Sequence, residues 1–272
     1  MTSSPSLRSR PVTRRNCLAQ LLTAAGLPLA ASQAGAAGSE LTVLSIVPMK
    51  DLLNEGFEVF RRETGLPVVV HYVSLRQLKA QLHGDEHPDL LIADRESVDA
   101  LKKSGGLSAD TQDRIALGRI GLGIAAPQGR ALPPMSTPED LSKHLLAAKA
   151  LLHADPSESI WGRQAQALLD RLGIAKELKP RLQVGSGSNP MAAMNQGGID
   201  LAIHSTADLL ANPGLQLAPA LPASLQQWVP FDAHVVEDAG NADSARRLAK
   251  FLQQGAAVRA IWSKKGFEMA AP

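Results

Sequence analysis

From residue 41 onward, short apolar runs alternate with stretches of helical periodicity. Leu41-Thr42-Val43-Leu44-Ser45-Ile46-Val47 is a β-prone run, and Pro48 to Arg62 carries Met49, Leu52, Leu53, Phe57 and Phe60 at helical spacing. The pattern predicts a strand followed by a helix. Thr64-Gly65-Leu66-Pro67 is a turn, Val68 to Val73 a second strand, Leu75 to Leu82 a short helix and Asp89 to Ala93 a third strand. Further units run through Ile120 to Ala125, Pro138 to Ala147, Ala150 to His153, Ser159 to Leu172 and Ile199 to Ile203. Ser244 to Trp262 reads as one final amphipathic helix buried through Leu248, Phe251, Leu252, Val258 and Ile261. Repeated strand–helix–strand units predict an α/β fold with mostly parallel sheets flanked by helices. Two extended stretches, Ile115 to Pro127 with Gly118, Gly121 and Gly123, and Trp228 to Val236, have the character of hinge crossings between two lobes. The expected division is 38–118 with 228–272 as lobe one and 119–227 as lobe two.

The first 37 residues do not fit this alternation. Arg8, Arg10, Arg14 and Arg15 come without an acid, a mildly apolar run spans Leu18 to Ala31, and Ala34-Gly35-Ala36-Ala37 follows. That order defines an export signal cleaved near Ala37, and Thr13-Arg14-Arg15 is twin-arginine-like, with ordinary secretion as the alternative route. Removal of this segment changes the composition. The chain of 272 residues has 28 Lys+Arg, 26 Asp+Glu and one cysteine. Loss of four arginines turns the formal +2 into −2, and Cys17 leaves with them. No disulfide framework can form within the chain, and no apolar run long enough to hold it in a membrane remains. Without a basic stripe a nucleic-acid partner is not expected.

Catalytic signatures such as G-x-S-x-G, H-E-x-x-H and the Walker loop are missing. His83 and His87 stand four apart, but Gly84 and Pro88 break the helix that would align them. The single Tyr72 disfavours a ferric site, and nine aromatics in core-like patterns disfavour stacking on large sugars.

The order of motifs resembles a family. Leu41-Thr42-Val43 before a strand-to-helix turn, Glu63-Thr64-Gly65, Pro88-Asp89-Leu90-Leu91-Ile92-Ala93-Asp94, Asp155-Pro156, Arg171-Leu172-Gly173, Ala249-Lys250-Phe251-Leu252, Ile261-Trp262 and Gly266-Phe267-Glu268 look like type II periplasmic solute-binding proteins, closest to the molybdate-type branch of ABC-transporter binding proteins. The resemblance implies a monomeric, two-lobed periplasmic-binding-protein fold. It also implies a small anionic ligand such as molybdate or tungstate, an ABC permease as partner, no cofactor and no catalysis. It places the ligand at helix N-termini, where free N–H groups and the dipole favour negative charge. The matching turns supply Ser45, Ser74, Arg76, Asp155, Ser186, Ser188 and His204 as candidate ligand-binding residues.

The chain also departs from the branch pattern. Pro48 stands where a serine is common and offers neither hydroxyl nor N–H; Leu75 and Arg76 follow Ser74 where serines are common; His204 stands for a common tyrosine. These departures open two alternatives: a small organic carboxylate clamped by Arg76, or a periplasmic enzyme or sensor partner built on the same fold. Each residue also has a plain structural role available. Ser74 and Asp94 can be helix caps, Gly185-Ser186-Gly187-Ser188 a turn, His204 a core residue, Asp155 and Glu158 acids at a helix start, and Trp161 packing.

Overall fold

A computed structural model of the chain describes residues 40–82, 88–105, 107, 113–185, 191–237 and 239–271, apart from the side chains at 75, 76, 79 and 195. The chain begins with β1 (Leu41–Ile46), a 3-10 turn (Val47–Met49), α1 (Lys50–Thr64), β2 (Val68–Val73), α2 (Leu75–Leu82), β3 (Leu90–Asp94) and α3 (Arg95–Lys103). The long strand β4 (Arg114–Pro127) leads to α4 (Pro138–Ala147), β5 (Leu151–Ala154), α5 (Ile160–Arg171), α6 (Ala175–Leu178), β6 (Leu182–Gly185), β7 (Leu201–Ser205), α7 (Thr206–Ala211) and β8 (Leu215–Leu217). The chain returns through β9 (Trp228–Val235), α8 (Ala242–Gln254), α9 (Ala256–Lys264) and β10 (Phe267–Met269).

The strands follow the order β2-β1-β3-β9-β4-β7-β5-β6, with β8 and β10 also on β4. β1 pairs in parallel with β2 and β3, and β5 with β6 and β7. The strands that join these two parallel triplets are antiparallel: β9 to β3 and β4, and β4 to β7 and β8. The expected parallel character therefore holds for the outer strands. It fails at the crossings because β4 leaves one sheet and β9 returns to it in the opposite sense.

Local chemistry sets the helix ends. Gly65 closes α1 in the left-handed region at φ 73° and donates its N–H to Arg61 O at 2.8 Å. Thr137 caps α4 and Ser159 caps α5. The expected single helix from Ser244 to Trp262 is instead two, α8 and α9, broken at Gly255. Gly255 donates to Phe251 O at 2.8 Å and then leaves the helical region at ψ 118°. The apolar stripe runs on through the corner because both helices bury their faces in the same core, so periodicity alone hides the break.

That core gathers α1, α8 and α9 on β1, β3, β4 and β9. Trp262 is fully buried, donates Nε1–H to Leu52 O at 2.8 Å and meets Phe267 edge-on at 5.0 Å. A smaller cluster of Ala125, Leu152, Met191, Met194, Ile199, Ala202, Leu209 and Leu215 fills the space on the far side of β7. No helix among the described residues is long and apolar enough to cross a membrane.

Candidate functional site

Strand register locates the site. Because β1, β2 and β3 run in parallel, their carboxyl ends share an edge, and the register puts Val47, Ser74 and Asp94 on one level, one residue beyond the last β1–β2 pair and two beyond the last β1–β3 pair. The carboxyl ends of β5, β6 and β7 likewise put Asp155 and Ser205 side by side, just past the Ala154–Gly185 pair. Ligands in open α/β sheets bind outside such carboxyl ends. β4 runs through both sheets and so measures the gap between the two edges. Asp94 is level with Phe231 and hence with Gly118, whereas Ser205 is level with Leu122. Four residues of strand separate the rows, about 13 Å. The two rows face each other across that distance as the two walls of a cleft. Glu96, on the first turn of α3, reaches across it to Arg163 on α5, with Arg163 Nε 3.1 Å from Glu96 Oε1.

The candidate residues occupy these walls unevenly. Ser74 is exposed on the first wall and forms a reciprocal cap with Gln77: Ser74 N–H and Oγ–H both donate to Gln77 Oε1, at 3.0 and 2.9 Å, and Gln77 N–H reaches Ser74 Oγ at 3.4 Å. Ser45 lies two residues inside the strand, fully buried, and its Oγ–H donates to Ile92 O at 2.9 Å. The Arg76 side chain, Ser186, Ser188, His83, His87 and the N-terminal segment with Cys17 lie outside the described residues. Asp94 caps α3, accepting from Ser97 N–H at 2.9 Å and Ser97 Oγ–H at 2.5 Å.

On the second wall Asp155 accepts from the N–H and Oγ–H of Ser157 at 2.8 and 2.7 Å. Those two bonds, the hydroxyl first, hold its carboxyl below the ordinary range against the opposing pull of burial, with His153 helping. His204 is buried one residue inside the edge, and its Nδ1 stands 2.9 Å from Asp208 Oδ2. Ser205 caps α7 through Asp208 N–H at 3.0 Å and donates its own hydroxyl to Asp208 Oδ2 at 2.6 Å. Burial would raise the Asp208 carboxyl, but the contacts from His204 and Ser205 keep it low. Trp161 stands over His204, ring centroids 6.1 Å apart.

Spacing in the sequence could have found Asp208, three residues after Ser205 as in a capping box. It could not have found Glu96 and Arg163, which are 67 residues apart and meet only when the lobes do. Among the described residues no group of three or more His, Cys, Asp and Glu is placed to hold a metal ion.

Beside the hinge, an open cavity of about 490 Å³ is lined by Arg95, Gly118, Arg119, Trp228, Asp232 and Glu268 among others. Its charges are matched: Arg95 pairs with Asp232 through Nε and Nη2 at 3.0 and 3.3 Å, and Arg119 with Glu268 at 2.9 and 2.8 Å. Arg119 also stacks 4.1 Å over the Trp228 ring.

Two residues along β9, His234 is buried with neither ring nitrogen hydrogen-bonded. Burial pushes its pKa down to about 4; Asp232 and Asp99 oppose the shift, and Lys102 and Arg114 add to it. The folded state then holds His234 neutral while the unfolded chain protonates it near the ordinary 6.5. Stability is complete above that pH and falls as the pH drops from about 6.5 towards 4, by up to about 3 kcal/mol from this residue. Urea midpoints at pH 7 and 4.5 should therefore converge in His234→Leu, and an acid limb as steep as that of the wild type would exclude the residue as its source.

The model of the family described as bacterial extracellular solute-binding protein matches residues 41–268. The chain is similar to an aconitate isomerase from Pseudomonas sp., 22% identical over 245 residues that cover 88% of this chain and 91% of that one. It is similar to the molybdate-binding protein ModA of Escherichia coli, 25% identical over 250 residues covering 89% and 95%. In structure it resembles PEB3 of Campylobacter jejuni with L-phospholactate bound, with a TM-score of 0.64 and 14% identity over 85% of this chain and 100% of that one. With parallel triplets joined through β4 and β9 and a family match spanning the whole described fold, the chain belongs to the bacterial extracellular solute-binding proteins, with the two-lobed type II fold of the molybdate-type branch.

Proposed function

We propose that this is an exported, monomeric periplasmic receptor that closes on a small organic carboxylate in the cleft and delivers it to an ABC permease. The lobes are 38–118 with 228–272, and 119–227, and residues 1–37 are the cleaved export signal. Function is then lobe closure coupled to ligand, with no bond chemistry.

The observation that carries the choice of ligand is the state of the two serine hydroxyls nearest the first wall. Ser45 gives its proton to Ile92 O, and Ser74 gives its own to Gln77. Pro48, in the intervening turn, has no N–H to offer. A tetrahedral oxyanion such as molybdate is best held by a shell of just such hydroxyl and amide donors. Their commitment elsewhere leaves recognition to charged side chains, with Arg76 as the proposed clamp on the first wall and Asp155 shaping the second. The relatives named for aconitate and L-phospholactate act on or hold carboxylates.

The test is a thermal-shift panel of acetate, succinate, tricarballylate, molybdate, tungstate, sulfate and divalent metals. Ligand at about 100 Kd should stabilise by about 2.7 kcal/mol, and the expected response is to the polycarboxylates. A shift with molybdate or tungstate alone would return the site to oxyanions, and a shift with metal cations alone would refute anion binding. A second reading, isomerisation of the bound acid, is favoured by one observation: the buried His204 sits beside a carboxylate, Asp208 Oδ2 lying 2.9 Å from Nδ1, and both ring nitrogens are left without a hydrogen bond. Deuterium uptake into a bound carboxylic acid, followed by NMR, would establish turnover.

A further inference from the structure

Buried polar atoms without a hydrogen-bond partner are unevenly distributed. Among the described residues they belong to His144, Trp161, Arg163, His204 and His234, and three of these stand on the second wall of the cleft. Trp161 and Arg163 occupy the first turn and a half of α5, and His204 lies one residue before the end of β7, its ring centroid 6.1 Å from that of Trp161. Trp161 is 1% exposed and His204 3%. A buried polar group without a partner costs roughly 1–3 kcal/mol, so a cluster of them calls for a reason.

The chemistry of the three favours an acceptor. An indole N–H and a guanidinium only donate, and the His204 ring, neither of whose nitrogens has a hydrogen-bond partner, carries an N–H even when neutral. Such a set matches an acceptor-rich anionic group. The structure already contains one that Arg163 accepts: the Glu96 carboxylate from the opposite wall, at 3.1 Å from Nε but with the N–H not directed at it. Glu96 is well exposed and Arg163 about one-third exposed, so this pair is weak and readily exchanged.

We infer that Trp161, Arg163 and His204 form a carboxylate subsite on the second wall, and that Glu96 is the counterion which a ligand carboxylate replaces at Arg163. This rests on the proposed carboxylate reading and sharpens it. Together with the Arg76 clamp proposed above, this subsite calls for a ligand with at least two carboxylates, one for each lobe, so that binding the second draws the walls together.

The experiment is calorimetric titration of tricarballylate and acetate into the wild type, Arg163→Ala, Arg163→Lys, Trp161→Phe and Glu96→Gln, each checked for an unchanged circular dichroism spectrum. Arg163→Ala should weaken tricarballylate by about 30-fold or more, the loss of a charge-assisted pair. Arg163→Lys should recover only part of this, because an ammonium lacks the planar fork. Trp161→Phe keeps the packing, removes the N–H and should cost about fivefold. Glu96→Gln should tighten binding several-fold by removing the competitor. Tricarballylate binding that is equal in wild type and Arg163→Ala would overturn the subsite while leaving the carboxylate reading intact. A Glu96→Gln loss as large as that of Arg163→Ala would overturn the counterion role and make the pair a closure contact. A wild type that binds no carboxylate at all would overturn both.

Discussion

Trp262→Ala is expected to destabilise the protein by about 3–5 kcal/mol, the range for truncating a fully buried aromatic. The residue closes the first lobe from three directions. Its Nε1–H donates to Leu52 O in α1, its ring edge meets Phe267 in β10, and its six-membered ring lies against Gly56, where a Cβ would come within 3.3 Å of Cζ2. Truncation leaves a cavity at the junction of α1, α9 and β10 and removes the second donor from the Leu52 carbonyl, which keeps its helical bond within α1. Trp262→Phe should cost much less, because it keeps most of the apolar contact and loses chiefly the hydrogen bond, about 1 kcal/mol. Urea unfolding of both variants separates packing from hydrogen bonding. A loss below about 1 kcal/mol for alanine would show that α9 does not hold the lobe together.

Gly162→Ala is the second large effect, and here two rules point in opposite directions. In a helix interior alanine is favoured over glycine by about 1 kcal/mol, so propensity alone predicts stabilisation. Sterics decide otherwise. A Cβ at Gly162 would fall 2.3 Å from Ala154 O and 2.6 Å from both Asp155 C and Pro156 N, all backbone atoms of the β5–α5 turn. None of them can swing aside as a side-chain tip can, so the start of α5 must lift off the turn. Overpacking of this kind costs typically 1–3 kcal/mol, enough to reverse the propensity gain. Since Gly162 lies between Trp161 and Arg163, the second wall moves with it, and anion affinity should fall by more than the stability loss accounts for. Parallel denaturation and titration check both parts; a melting temperature at or above that of the wild type would contradict the close approach.

These two positions also show what the sequence could reveal. The stripe read from the sequence ended on Ile261, whereas the structure buries its neighbour Trp262 fully and Ile261 only in part, because the corner at Gly255 turns α9 and one stripe serves both helices. The bounds of β2, α2 and α4 are those the periodicity predicts, each being a single uninterrupted pattern, with Thr137 capping the start of α4. β6, α7, β8 and β10 are three to six residues long, too short for a period to emerge.

The hinge strand β4 was visible through its glycines, and Gly118 at φ 151° lies against Glu268 O where no Cβ fits. Its antiparallel pairing was not visible, since register is set by strands 77 to 151 residues away. The described turns after β1, β2, β5 and β7 were legible because each follows a strand end. Which hydroxyls are free was not: Ser45 spends its proton on Ile92, 47 residues on. The pairing of Glu96 with Arg163 exists only where the lobes meet, and no local pattern encodes it.

The central claim is that the cleft between the two edges closes on a carboxylate. Small-angle scattering during the tricarballylate titration tests it most directly. A radius of gyration that falls in step with site occupancy, and does so in the wild type but not in Arg163→Ala, is the expected result. Saturable binding with an unchanged radius, or compaction driven by molybdate and not by any carboxylate, would contradict it.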